Sequence, residues 1–78
     1  MIVQLLGYQT VDFTNKNGEQ IRGSNIFVSF EDENVTGLHT EKFFIREGIN
    51  LPEGTKIKDT IDLSFNMKGK VESIFATK

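Results

Sequence analysis

The chain predicts an all-β fold, a small antiparallel barrel of five to six strands. Three observations carry this. Apolar and polar residues alternate in several segments, the period of a half-buried strand. Turn residues recur at short intervals, with glycine at 7, 18, 23, 37, 48, 54 and 69 and the single proline at 52, which leaves little room for a helix. Seven Phe and one Tyr stand among 78 residues, and rings that bury ~150–250 Å² each help so short a chain close a core. The length makes a single domain, residues 1–78.

Taken in order, Met1-Ile2-Val3-Gln4-Leu5-Leu6 opens a long first strand, because no basic region or cleavage site marks it as a signal peptide. That strand runs to Phe13-Thr14 and ends at the turn Asn15-Lys16-Asn17-Gly18. A three-residue loop with Gly18 left-handed sets Phe13 opposite Ile21 and Asn15 opposite Glu19. Gly23-Ser24-Asn25 reads as a bulge or bend that curves the second strand. Ile26, Val28 and Phe30 then form an inward face, and Glu31-Asp32-Glu33-Asn34 a polar turn.

Val35 to Ile45 predicts the next strand, bent at Gly37, and Arg46 to Gly54 a loop punctuated by Pro52. Ile57 to Phe65 shows the clearest alternation, with Ile57, Ile61, Leu63 and Phe65 on one face and Asp59 the one exception among them. Asn66-Met67-Lys68-Gly69 repeats the Asn-x-x-Gly turn and leads into Val71 to Ala76. The same loop geometry pairs Phe65 with Val71 and Ile61 with Phe75. Hairpin connections and a first strand long enough to bend suggest an OB-like barrel, whose closure removes exposed edges. The alternative is a two-sheet β-sandwich.

Composition narrows the function. Net charge is −2, so no bulk attraction to nucleic acid or acidic lipid exists, and such binding needs a local basic face. Cysteine is absent, which rules out disulfides and thiolate metal sites and fits a reducing cytoplasm. No apolar run reaches the ~20 residues of a membrane-spanning helix.

Chemistry has little to stand on. His39 is the only histidine, too few ligands for zinc, and no nucleophile is placed with it by any motif. Glu31-Asp32-Glu33 lacks the alternation and the closing Glu of a calcium loop. Asp59 and Asp62, three apart on a strand, point to opposite faces and make no catalytic carboxylate pair. The glycines match no phosphate-binding loop. The expectation is a non-enzymatic binding protein with no cofactor and no metal.

The aromatic phase is the informative feature. Phe27 falls on the opposite parity from Ile26, Val28 and Phe30. Phe43 and Phe44 are adjacent, so one of them must leave the interior. With Tyr8, these rings define a second face, and Arg22, Lys42 and Arg46 are its candidate cations. Rings interleaved with cations are what single-stranded nucleic acid binding uses: bases stack, and Lys or Arg meet phosphates. The expected nucleic-acid-binding set is therefore Tyr8, Arg22, Phe27, Lys42, Phe44 and Arg46. The alternative is that this face serves protein–protein interaction or self-assembly, as in a homodimer.

The layout resembles the small OB-like single-stranded-DNA-binding proteins of filamentous phage and mobile elements. The resemblance lies in Val11-Asp12-Phe13-Thr14, in Gly23-Ser24-Asn25, in Gly54-Thr55-Lys56-Ile57-Lys58-Asp59 and in the final Gly69-Lys70-Val71-Glu72-Ser73-Ile74. It spans most of the chain as a pattern, without a diagnostic motif. It implies a five-stranded barrel, a homodimer and cooperative coating of single strands. The acidic balance and the few basic residues from Ile26 to Ile45 depart from that pattern, and an accessory protein that targets another protein fits as well.

Overall fold

Two hairpins built on the same turn frame the molecule, whose computed structural model describes residues 1–77. Strand β1 (Ile2–Thr14) turns into β2 (Gln20–Glu31), and β4 (Thr60–Phe65) turns into β5 (Val71–Ala76). In the first turn, Gly18 N–H donates to Asn15 O, and Asn15 N–H to Glu19 O. The side-chain oxygen of Asn15 accepts from the amides of Asn17 and Glu19. Asn66 does the same for Lys68 and Lys70. Gly18 and Gly69 take φ of 79° and 77°, a left-handed conformation that a side chain disfavours. The predicted pairs Phe13–Ile21 and Phe65–Val71 both form.

Strand β3 (Leu38–Arg46) pairs with β2, and β1 pairs with β4 only through Ile2, Val3 and Gln4. The result is one antiparallel five-stranded sheet in the order β3-β2-β1-β4-β5. All strands share this sheet, so the two-sheet sandwich does not describe it. Nor is the sheet closed: no ladder joins its edges β3 and β5, although the two come near one another. The sheet curls so that Phe43 of β3 meets Phe65 of β4 edge to face, ring centres 5.4 Å apart.

The inner face of that curl is the core. Val3, Leu5, Ile26, Val28, Ile45, Ile61, Leu63, Val71 and Ile74 are buried there, with Ile49 and Leu51 of the β3–β4 loop packed on them. At ~25 cal/mol per Å² of apolar area, burial of this one layer is the main favourable contribution to folding. The far half of the β1–β2 hairpin projects beyond it as a ribbon, since Gly7 to Thr14 pair on one side only. The radius of gyration is accordingly 13.5 Å, against about 11.5 Å for a spherical domain of this length.

Four local expectations are corrected. The bulge in the long hairpin is in β1, where Leu6 stands between the pairs Leu5–Val28 and Gly7–Phe27, and not at Gly23-Ser24-Asn25, which hold register. The fourth strand starts at Thr60 and not Ile57. Lys56 to Asp59 form a turn closed by Asp59 N–H to Lys56 O, Lys58 takes φ of 78°, and Ile57 is 47% exposed. Finally, Glu72 is a second bulge, so Ile61 pairs with Ala76 and not Phe75. The slip delivers Ile74 to the core and turns Phe75 to solvent. Val35 to Gly37 likewise belong to the loop before β3.

Candidate nucleic-acid interface

Register assigns every strand residue to a face, because directly paired residues point the same way and neighbours in sequence point oppositely. Ile26 and Val28 fix the inner face of β2. Asn25 and Phe27 therefore point outward, as do their β3 partners Phe44 and Lys42, and Arg46 two residues on. Phe27, Lys42, Phe44 and Arg46 thus share one outer surface, as the sequence suggested. Phe27 is 38% and Phe44 41% exposed.

Both rings lie against a strand glycine. A Cβ at Gly7, the β1 partner of Phe27, would make an ordinary 3.8 Å contact with the Phe27 ring. A Cβ at Gly23 would lie 2.7 Å from Phe44 Cζ and overlap the Ile45 carbonyl oxygen. The tip of the Phe44 ring thus reaches over the β2 backbone at Gly23, and the ring stays 41% exposed. Beside Phe27, a shallow depression of about 240 Å³ opens between Leu6, Thr40 and Lys42. Neither Lys42 nor Arg46 enters an ion pair among the described residues, and no carboxylate occupies an outward position between Glu31 and Arg46 on β2 and β3.

The two remaining predicted residues face the other way. Tyr8 pairs with Ile26, and Arg22 with Asp12, on the inner side of the ribbon. Tyr8, 60% exposed, borders a recess of about 310 Å³ floored by Ile26, Ile45, Ile49 and Leu51. The guanidinium of Arg22 lies 3.7 Å from Asp12, and its carbonyl accepts the amide of Glu47, which holds the β3–β4 loop on this side. Arg22 keeps the inward phase of Ile26 because β2 holds register through Gly23-Ser24-Asn25, whereas Tyr8 is turned inward by the Leu6 bulge. Without it, Tyr8 would stay in phase with Gln4 on the outer face, and the sequence shows no signal for an extra residue there.

His39 has a definite environment. It pairs with Phe30, and the two rings stack at 4.6 Å. Its Nδ1 lies 3.0 Å from Asp32 Oδ2 and its Nε2 2.8 Å from Glu41 Oε1. Ionised carboxylates only accept, so satisfying both requires both ring nitrogens protonated. The hydrogen bond to Asp32, then that to Glu41, raises the His39 pKa above its usual value. The bond from His39 and that from the Asn34 amide lower the pKa of Asp32. No group of metal-ligating side chains assembles among the described residues, and no helix is long and apolar enough to cross a membrane.

Comparison of the chain with protein-family models, curated proteins and solved structures gives no match.

Proposed function

We propose that the chain is a non-enzymatic, OB-like binding module that holds single-stranded nucleic acid on its outer face through Phe27, Phe44, Lys42 and Arg46. One observation carries the reading: two half-exposed rings share a surface with two cations free of ion pairs. A half-exposed ring can stack with an unpaired base, and a duplex, whose bases are already stacked, has no face to give in return. The depression beside Phe27 leaves room for a second base at its edge.

Fluorescence anisotropy with labelled oligothymidylate at low salt tests this. Salt-sensitive binding is expected at micromolar protein. Phe27→Ala and Phe44→Ala should each weaken it by roughly 5- to 150-fold, from ~1–3 kcal/mol per stacked base, with far-UV dichroism unchanged. Absence of salt-dependent binding, or unchanged affinity in both variants, overturns the reading.

A second reading, self-assembly or a protein partner, is favoured by surface area. The chain exposes 5964 Å², whereas a folded monomer of its mass exposes about 4,800 Å². The difference exceeds the ~800 Å² that each partner contributes to a standard interface. Phe13, Phe75, Ile2 and Tyr8 are each more than half exposed. Sedimentation velocity separates the cases, since a strict monomer at all concentrations removes self-association.

A further inference from the structure

We infer that the outer-face site, if the nucleic-acid reading above holds, takes a short footprint of at most about four nucleotides running along β3, with two phosphate contacts and an electrostatic stop at Glu31. The inference deepens that reading and rests on it.

The direction follows from where the cations stand. Lys42 and Arg46 are both on β3, with Phe44 between them and Phe27 directly opposite Lys42. Nothing comparable runs across the sheet. The outward positions of β1 beside this region are Gly7, Gln9, Val11 and Phe13, none of them charged. A polyanion that keeps both cations must therefore lie parallel to β3.

The length follows from strand geometry and charge. Four residues of strand separate Lys42 from Arg46, about 14 Å at ~3.4 Å per residue. A fully stacked strand rises ~3.4 Å per nucleotide, so this interval spans about four nucleotides, and fewer if the strand is extended. Beyond Lys42 the same outward row continues through Thr40 to the pair Leu38–Glu31, with Glu33 in the adjoining turn. Beyond Arg46 β3 ends, and Glu47 lies opposite Arg22 of the inner row, to whose carbonyl its amide donates. A carboxylate thus closes the row beyond Lys42, and the end of β3 closes it beyond Arg46. A phosphate reaching the Glu31 end meets like charge, which costs affinity where the next contact would otherwise add it. Asp32, in the same turn, is engaged with His39 and stands apart from the row.

The test is the salt dependence of oligothymidylate binding, measured over a length series. At ~0.7 per phosphate contact for single strands, two contacts give a slope of log K on log salt near −1.4, a ~7-fold loss between 50 and 200 mM. Lys42→Ala and Arg46→Ala should each halve that slope, and the double variant should abolish it. Glu31→Lys, an exposed change that leaves every strand pair in place, should steepen it to about −2.1 and raise affinity for strands longer than four nucleotides more than for shorter ones. Affinity for the unchanged protein should level off near four nucleotides. A slope of −3 or steeper, or a Glu31→Lys protein with the parent slope and length profile, overturns the footprint while leaving the binding reading intact. No binding to any oligonucleotide is instead the failure of the binding reading itself.

Discussion

Replacing Gly23 with alanine should cost far more than replacing Gly7, although both are glycines on the long hairpin beside a phenylalanine. At Gly7 the added methyl meets Phe27 at 3.8 Å, ordinary contact, and neither φ is in the left-handed range. That exchange also narrows the unfolded ensemble, a gain of ~0.4–1 kcal/mol, so Gly7→Ala should be neutral to slightly stabilising. At Gly23 the methyl overlaps the Ile45 carbonyl and crowds the Phe44 ring at 2.7 Å. The ring can swing away, but the carbonyl belongs to the β2–β3 ladder at the pair Ser24–Ile45 and cannot.

Overpacking costs ~1–3 kcal/mol where side chains yield, and a backbone obstacle puts this site at the upper end, about 2–3 kcal/mol after the entropic gain. A 78-residue domain has only ~4–12 kcal/mol to lose. With ~4–8 °C per kcal/mol at this size, Tm should fall by about 10–20 °C. Thermal melts followed by far-UV dichroism, with Gly7→Ala as the control, decide the matter. A Gly23→Ala protein melting within 3 °C (roughly, ~0.5 kcal/mol) of the parent would show that β3 does not press on β2 there.

Asn15→Ala and Asn66→Ala should lower stability by similar amounts, ~1 kcal/mol each, since each removes two side-chain bonds to backbone amides in an exposed turn; urea midpoints showing one of them silent would mean the twin turns are not equivalent. The Tm gap between the parent protein and His39→Gln should be widest at mildly acidic pH and close as pH rises. His39 has a raised folded pKa, so its contribution is complete below its unfolded value near 6.5 and is lost as pH climbs through the folded one. Asp32, with a lowered pKa, contributes above its unfolded value of 3.8 and loses that contribution as pH falls through the folded one. A gap that widens from pH 6 to 8 (about the range His39 titrates) has the wrong sign and refutes the double carboxylate clamp.

Sequence revealed the parts of this fold whose information is local. Asn-x-x-Gly turns carry their own hydrogen-bonding side chain, so Asn15 and Asn66 were readable together with the first pair each turn sets. Inward alternation of Ile26, Val28 and Phe30 was readable for the same reason, and with it the outward Phe27 and Phe44. What escaped were single-residue insertions. Leu6 and Glu72 are ordinary strand residues, and each is extra only because of how the opposite strand is held. One such slip moved Tyr8 off the site, the unbroken register of β2 left Arg22 on the inner side, and the other slip exchanged Ile74 for Phe75 in the core. Ile57 misled because an apolar residue in phase looks like strand, whereas Lys58 and Asp59 fold back to exchange backbone bonds with Leu5. Gly23 reads from sequence as a bulge or bend, and only the position of β3 shows it to be a close approach of two backbones.

The short seam between β1 and β4 sets the order in which the chain can assemble. Each hairpin gathers residues close in sequence, so either forms early at little entropic expense. Joining them requires Val3 to find Ile61 and the N–H of Leu5 to find the carbonyl of Asp59, across most of the chain. Until that closure, neither hairpin has a covered apolar side, and a lone two-stranded ribbon is barely stable in water. Amides of Val3, Leu5 and Leu63 should thus exchange with solvent only on complete unfolding, while those of the ribbon beyond Tyr8 open far more often.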